Sequence, residues 1–307
     1  MMKNKFIIRI LIFLTPLYIY MAMVFIIDPY NMIRKEDNKK LVDLKKAISN
    51  TLNYPLYKMI SYRNSPSSII VLGDSRASKF TPELFKEIFA EDVFNLSYGG
   101  GTLPEIAETF FHIVESHKIA KVYICLNYNL YNKNNMRNRV PEVISITSSI
   151  GSYFGNKYTF KSTVLLMQSL VLGRKPAIET PPYSKEEFWD YQLATSATSF
   201  YKDYTYPDNY FKDLKSLSAY CKTKEIELVF IIPPTHVDLQ RRIGDYGLYG
   251  EEARFKADIS SLAKVYDFDY ENSFTKKKGN FLDPYHFKDE LSSQIMIDIH
   301  EMANKNY

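Results

Sequence analysis

Short apolar runs, each followed by polar or glycine residues, recur along most of the chain beyond residue 66. Runs of this length with many β-branched residues are typical of buried strands in a parallel sheet. The first run is followed directly by Gly73-Asp74-Ser75. We predict strands at residues 69–72, 93–97, 122–126 and 227–232, and a weaker one at 266–270.

Segments with apolar residues at helical spacing separate these runs. Thr81 precedes Pro82 and can cap one such helix, and Thr102-x-x-Glu105 is a capping-box pattern. Further helices are predicted at 210–222, around Phe255 to Leu262, and in a last segment from Leu291 to Met302. Strands that alternate with helices predict an α/β fold, a three-layer sandwich with a parallel sheet covered by helices on both faces.

The chain begins with a segment of a different character. Residues 10–27 contain 18 residues without a charge, which is long enough to cross a membrane. Lys3, Lys5 and Arg9 precede the segment, so residues 1–9 should form a cytoplasmic tail and the body should lie outside the plasma membrane. A cleaved signal peptide is the alternative. No small-x-small cleavage pattern follows, so we favour an uncleaved, single-pass anchor.

The remaining chain divides into a neck and a large domain. Residues 28–66 are polar and partly helical, and their simplest interpretation is a solvated spacer. Residues 67–307 carry the alternating pattern and should form the main domain. Residues 132–205 interrupt it after a strand, and an insertion at that place tends to wall a site or form a lid. Within the insertion, 160–172 could form an apolar helix.

Composition excludes few functions. A net charge of +4 over 307 residues gives no reason to expect nucleic-acid binding. The 25 Tyr and 20 Phe suit either a surface facing sugars or membranes or a tyrosine-rich core. Cys125 and Cys221 are more readily explained as two buried thiols than as a disulfide, which an extracytoplasmic location would allow. We expect no cofactor and no metal site, since His236-x-Asp238 is too slight a pattern.

The candidate chemistry centres on a serine. Ser75 lies in the turn after the first strand, at the sheet edge where α/β folds bind ligands. A serine hydroxyl needs a base to become a nucleophile, and His286 is the best candidate. Asp283 precedes it by three residues, so one tight turn could aim both side chains into the same crevice. The simpler explanation of each short motif is a polar or capping turn.

Developing negative charge would need hydrogen-bond donors at the same edge. The turn Gly99–Gly101 follows the second strand, and Asn129 follows the third. The Ser75 backbone N–H would complete the set. Arg76 could attract an anionic ligand or form a surface ion pair, and His236, at the end of the fourth strand, could contact substrate. Asp74 should stabilise the turn.

As an ordered set, these motifs resemble the SGNH (GDSL-type) hydrolases over roughly residues 66–300. The motifs that carry the likeness are Gly73-Asp-Ser75, Asn95-Leu-Ser-Tyr-Gly-Gly100, Asn129, and Asp283-x-x-His286. The resemblance implies a flavodoxin-like SGNH fold, with Ser75 as nucleophile, Asp283 and His286 completing a triad, and Gly100 and Asn129 as oxyanion donors. The family usually has Gly-x-Asn-Asp after the third strand, whereas this chain has Asn127-Tyr-Asn129-Leu130. Asn127 is therefore an alternative oxyanion donor, or that donor is absent.

Two further motifs are similar to a narrower, membrane-anchored group. Asp28-Pro-Tyr-Asn31 follows the apolar segment, and Pro233-Pro-Thr-His236 follows the fourth strand. Both resemble the lipoteichoic acid D-alanine transfer protein and the alginate-type O-acetyltransferases. The resemblance implies an esterase or O-acyltransferase that acts on an envelope polysaccharide or teichoic-acid-like polymer beside a membrane-bound O-acyltransferase. The alternative is a non-catalytic envelope protein that keeps the fold and binds polysaccharide or such a partner.

Overall fold

The computed structural model describes residues 2–174 and 183–305, without the side chains of residues 2–4 and 8. Residue 1 of the predicted tail and residues 175–182 of the predicted insertion lie outside this part. The α-helices, in chain order, are α1 (Met2–Ile27), α2 (Lys39–Lys45), α3 (Tyr54–Asn64), α4 (Pro82–Phe89), α5 (Leu103–Ser116), α6 (Val140–Thr147), α7 (Ile150–Gly155), α8 (Lys157–Leu172), α9 (Lys185–Tyr191), α10 (Ala197–Tyr201), α11 (Asp208–Thr223), α12 (Val237–Asp245), α13 (Tyr249–Ser260) and α14 (Asp289–Asn304).

A parallel sheet organises the larger part of the chain. Within the described residues it has five strands in the order β2-β1-β3-β4-β5, all parallel. This is the doubly wound order of flavodoxin-like folds, and it confirms the predicted α/β class. The strands are β1 (Ile69–Leu72), β2 (Val93–Asn95), β3 (Lys121–Cys125), β4 (Glu227–Ile232) and β5 (Lys264–Asp267).

Three strand predictions need correction at their ends, and the third strand covers 121–125 instead of 122–126. The second strand stops at Asn95 instead of residue 97, because the Asn95 side chain accepts from Ser97 N–H and donates to the carbonyls of Ala77 and Phe80. The fifth strand covers 264–267 instead of 266–270. It ends where Asp267 Oδ1 accepts the Asp269 N–H and turns the chain. Side-chain bonds of this kind compete with the ladder.

The chain forms two compact units, Met1–Ser65 with Arg139–Glu179, and Pro66–Asn138 with Thr180–Tyr307. The second unit contains the sheet. Odd-numbered strand residues such as Val71, Tyr123 and Ile231 share one buried cluster with Phe85 of α4 and Ile295 of α14. In β5 the numbering is reversed, because Tyr266 pairs with Ile231 and lies in the same cluster. Since side chains alternate along a strand, the even-numbered residues of β1 to β4 face the other side. There α5 and α11 pack together, and α11 contacts β4. The result is the predicted three layers.

The first unit is organised around the end of α1. Asp28 is fully buried and accepts hydrogen bonds from the backbone N–H groups of Met32, Ile33 and Arg34 and from the Tyr153 hydroxyl. These four bonds satisfy a carboxylate that would otherwise be costly to bury. The first residue of Asp28-Pro-Tyr-Asn31 therefore fixes how the chain leaves α1.

The predicted neck is packed within this first unit. Asn53 caps α3, and Leu56 and Ile60 of α3 are buried. Helix α8 begins at Lys157, three residues before the predicted 160–172, because Asn156 accepts two N–H groups and caps it there. Residues 28–65 therefore pack within the first unit and do not form the solvated spacer that their polar composition favoured.

Helix α1 is long and apolar enough, over Lys5–Ile27, to cross a membrane. Most of its large apolar side chains are exposed, including Phe13 and Ile26. A helix that is apolar on nearly all sides suits a lipid environment. The end of the segment agrees with the predicted 10–27.

Both cysteines are buried free thiols, as the sequence favoured. Burial raises the pKa of Cys125 well above its ordinary value and that of Cys221 to about 12. Neither thiol is therefore in its reactive thiolate form near neutral pH.

The turn after β1 requires glycine at position 73. A Cβ atom there would lie 2.7 Å from Ala77 Cβ and 2.9 Å from Cys125 Cβ. We expect Gly73→Ala to lower the free energy of unfolding by about 1–3 kcal/mol, because the added methyl overpacks the turn. Urea unfolding of the full chain measures it. Gly250→Ala in α13, where nothing lies within 4 Å, is the control and should be neutral or stabilising. Equal effects of the two substitutions would contradict the argument.

Candidate active site

The structure brings together the two residues on which the sequence argument depends. Ser75 lies in the turn that leaves β1, and its Oγ is 2.7 Å from Nε2 of His286, 211 positions later in the chain. The His286 side chain is 32 % exposed, so the pair lies at the surface of a cleft and is open to a ligand.

His286 is held by Asp283 in a compact turn. Its Nδ1 lies 2.8 Å from Asp283 Oδ2 and 3.0 Å from Oδ1. The backbone N–H groups of Tyr285 and His286 also donate to Asp283. An Nδ1–H directed at the carboxylate leaves the Nε2 lone pair facing Ser75, the tautomer that a general base requires.

The charge on Asp283 follows from these contacts. Burial by itself would raise the pKa of the Asp283 carboxyl. The hydrogen bonds and charge of His286 and the two backbone N–H groups outweigh burial, so this pKa lies below its ordinary value. The carboxylate is therefore ionised at neutral pH and can stabilise a protonated imidazole.

Apolar packing behind the polar groups holds the two distant segments together. Phe80, five residues after Ser75, packs on Phe287 with ring centroids 5.8 Å apart. A bridge between Phe281 and Phe287 closes the turn that carries His286. The Ser75–His286 distance thus depends on buried aromatic contacts as well as on its own hydrogen bond.

Arg76 lies beneath the serine and not on the surface. It is 1 % exposed, and its guanidinium donates to Asp74 through Nε and NH2, the latter at 2.7 Å. Burial alone would lower the pKa of Arg76, but the charge and hydrogen bonds of Asp74 outweigh it and raise the pKa. The ion pair expected from the sequence therefore forms with Asp74, but inside the protein and not on its surface. Contact of Arg76 with an anionic ligand stays a prediction.

The same guanidinium fixes the orientation of Asn129. NH1 of Arg76 donates to Asn129 Oδ1 at 3.0 Å. An amide whose oxygen is held in this way presents its Nδ2 hydrogens elsewhere. No bond from Nδ2 forms within residues 2–174 and 183–305, and Asn129 lines the cleft beside Ser75. Arg76 therefore turns a donor toward the site.

The turn after β2 supplies the third part of the site. Gly100 lines the same cleft and has φ +59°, in the left-handed region that favours glycine. Its neighbour Gly101 packs so closely that a Cβ would lie 2.8 Å from the Gly73 carbonyl oxygen. The two turns are therefore in contact, which places the Gly100 backbone near Ser75.

These residues open into a cavity of about 430 Å³, within the size range of small-ligand sites. Its walls include residues from both ends of the insertion, as predicted for a segment at that place. The lining residues are Asp74, Ser75, Arg76, Gly100, Asn129, Leu130, Asn135, Arg137, Gln192, Ser196, Phe200, Tyr285 and His286.

Two residues considered from sequence lie elsewhere. Asn127 is buried and donates to the Pro233 carbonyl at 2.6 Å, so its amide is used in connecting strand ends. His236 caps α12 by accepting the Asp238 N–H, and its ring packs against Trp189. Burial lowers the pKa of His236. Neither residue lines the cavity, so Asn129 fits the donor position and Asn127 does not.

Sequence reasoning missed several cavity residues. Tyr285 is 6 % exposed, and in the part of the chain that the structure describes its hydroxyl has no hydrogen-bond partner. Its position between Asp283 and His286 was the available signal. Arg137, Gln192 and Phe200 belong to an insertion without periodicity, where only the general expectation of a wall could be formed.

The arrangement can perform nucleophilic attack with general base assistance. It has a hydroxyl, an imidazole with a free lone pair, an ionised carboxylate, and an amide and glycine turn on the other side of the serine. Within the described ranges no group of three or more His, Cys, Asp or Glu side chains could hold a metal ion.

Comparison with known proteins gives a limited likeness. No protein-family model matches the chain, and no curated protein matches it. Among solved structures, a Bacteroides thetaiotaomicron GDSL-like lipase is 13 % identical with a TM-score of 0.42, covering 83 % of this chain and 98 % of that one. A catalytic mutant of a Geobacillus stearothermophilus acetylxylan esterase is 12 % identical with a TM-score of 0.40, covering 76 % and 92 %.

The lowered pKa of Asp283 predicts a pH-dependent stability. A carboxyl whose pKa is lower in the folded state stabilises fully above its unfolded pKa, about 4, and the stabilisation is lost as pH falls through the folded pKa. We therefore expect Asp283→Asn to lower the unfolding midpoint at pH 7, with the difference from wild type shrinking below about pH 4. Urea unfolding at several pH values measures this. A difference that stays constant with pH would contradict it.

Proposed function

We propose that this chain is a membrane-anchored, extracytoplasmic serine esterase or O-acyltransferase that acts on acyl esters of a cell-envelope polysaccharide or teichoic-acid-like polymer. The observation that carries the proposal is the contact chain from Ser75 Oγ through His286 to Asp283, at 2.7 and 2.8 Å. It lies in a cavity large enough for a sugar ester. The resemblance to SGNH hydrolases assigns the same three residues.

The reaction proceeds in two halves. Ser75 Oγ attacks the ester carbonyl carbon while His286 Nε2 takes the hydroxyl proton, and Asp283 stabilises the imidazolium. The tetrahedral intermediate then collapses, the C–O bond to the leaving alcohol breaks, and Nε2 returns the proton to that alcohol. An acyl-serine remains. In the second half an acceptor hydroxyl loses its proton to Nε2 and attacks the acyl carbon. The bond between that carbon and Ser75 Oγ then breaks, and Nε2 returns the proton to Oγ.

The negative charge on the carbonyl oxygen requires donors in place before reaction. The Asn129 Nδ2 group and the backbone N–H groups of Ser75 and Gly100 serve this purpose, since all three residues line the cavity. The Tyr285 hydroxyl, buried at the cavity wall, is available to hydrogen-bond the ester or the acceptor.

Hydrolysis and transfer use the same residues and differ in the acceptor. Water gives hydrolysis, and a polymer hydroxyl gives transfer. The apolar helix α1 supports an anchor that would hold the site near the envelope surface. The anchored-group resemblance favours transfer, with a membrane-bound O-acyltransferase as the partner that supplies acyl groups.

Active-site labelling tests whether Ser75 is a nucleophile. The full chain in neutral detergent should react with a fluorophosphonate and cleave p-nitrophenyl acetate, because His286 can accept the serine proton. Ser75→Ala should abolish labelling and lower cleavage roughly a thousandfold or more. Ser216→Ala, an exposed hydroxyl on α11, is the control and should behave as wild type.

The same experiment decides between the proposed classes. Labelling that is equal in wild type and Ser75→Ala would contradict the enzyme, and binding of polysaccharide by that inactive chain would then support the non-catalytic alternative. With an acetyl ester and an oligosaccharide present, mass spectrometry of the products separates acetylated sugar from free acetate, and hence transfer from hydrolysis.

A double-mutant cycle tests whether Arg76 acts through Asn129. Asn129→Ala should lower kcat on the order of a hundredfold, as expected for the loss of one oxyanion donor. Arg76→Lys keeps a positive charge beside Asp74 but loses the planar guanidinium, whose NH1 group also holds Asn129. It should lower kcat about tenfold with little change in KM.

In the double variant, Arg76→Lys should add nothing to the loss caused by Asn129→Ala, because its target is gone. Effects that multiply would show that Arg76 does not work through this amide. Unfolding midpoints of all variants control for a general loss of stability.

A further inference from the structure

Among the residues that the structure describes, one cation at the cavity, Arg137, has no carboxylate partner. Arg76 pairs with Asp74 at 2.7 Å, and His286 pairs with Asp283. Arg137 also lines the cavity, and no carboxylate of the described residues lies within ion-pair distance of its guanidinium. The mouth of the cavity therefore carries an unbalanced positive charge.

Arg137 is placed there by the surrounding structure. Thr102, which caps α5, donates from its hydroxyl to the Arg137 carbonyl at 2.5 Å. Tyr210 of α11 donates to the Asn135 carbonyl at 2.9 Å, and the Lys133 N–H donates to the Thr205 carbonyl at 3.0 Å. The backbone of the strip 133–137 is thus tied at three points, which places the exposed Arg137 side chain beside the cavity.

The guanidinium reaches the glycine turn of the site. Its NH2 group donates to the carbonyl oxygen of Gly100, which also lines the cavity. A guanidinium has five N–H donors in a planar fork, so one such bond leaves others for a ligand. A fork of this kind matches the paired oxygens of a carboxylate or a phosphodiester.

We propose that Arg137 binds an anionic group of the substrate and so makes the site selective for acyl esters on acidic polymers. The inference rests on the function proposed above and names the substrate class for it. The anionic group is a carboxylate or a phosphodiester on the unit that carries the ester, close to the acyl oxygen. Arg137 is a specificity-determining residue in this scheme and takes no part in proton transfer.

Matched esters test the proposal with the full chain in neutral detergent at low ionic strength. The probes are the acetyl ester of a methyl glucuronoside, its uncharged carboxamide, and an acetylated glycerol phosphodiester. Wild type should have a roughly tenfold or greater kcat/KM for an anionic probe than for the carboxamide, an advantage of the size expected for a charge-assisted bond. Whichever of the two anionic probes has the higher kcat/KM shows whether the site prefers a carboxylate or a phosphodiester. The advantage should shrink as salt is added.

Arg137→Gln should remove this advantage, mainly through KM, so that kcat/KM falls at least several-fold more for the anionic probes than for the carboxamide. Arg137→Lys should retain part of it. Lys133→Gln removes an exposed charge from the same strip outside the cavity and should have no effect.

Two results would overturn the proposal. One is an equal loss on charged and uncharged probes in Arg137→Gln, which would make Arg137 a support for the Gly100 turn. The other is a wild type that does not prefer the anionic probes. Failure of the proposed function looks different, because then Ser75→Ala would match wild type on every probe.

Discussion

The site depends on one buried ion pair. Arg76 and Asp74 are neighbours of Ser75 on either side, and both are almost fully buried. A buried charge without a partner is strongly destabilising, so each residue requires the other. Because the guanidinium also reaches Asn129, the pair ties the turn after β1 to the turn after β3. The position of the serine and the orientation of the amide are therefore set by the same interaction.

Parallel strands explain why these parts can meet at all. In a parallel sheet the carboxyl ends of neighbouring strands lie at one edge, so the turns after β2, β1 and β3 are adjacent. Close approach of Gly73 and Gly101 brings two of the turns into contact. The imidazole arrives from the far end of the chain, and the Phe80–Phe287 contact gives it a fixed distance to Ser75. Apolar burial thus supplies the precision that the polar groups use.

The insertion adds the features that distinguish this cavity from a bare triad. Its two ends contribute Asn135, Arg137 and Phe200 to the walls, while residues 139–179 belong to the unit that contains α1. The cavity combines an apolar side with a mouth that is positively charged through Arg137. Ser75 and Asn129 thus come from the ends of strands, whereas the surrounding walls come in part from the insertion.

The sequence by itself determined the strands to within a few residues, the caps at Thr81 and Thr102, and the ordered set of Ser75, Asp283 and His286. These follow from local rules, since periodicity and capping depend on neighbours a few positions apart. The tertiary structure decided three matters: that Arg76 is buried, that Asn129 and not Asn127 faces the cavity, and that His236 serves as a helix cap. Each depends on which side chains from distant segments share a buried space, and the desolvation of a charge or an amide has no local signature in the sequence.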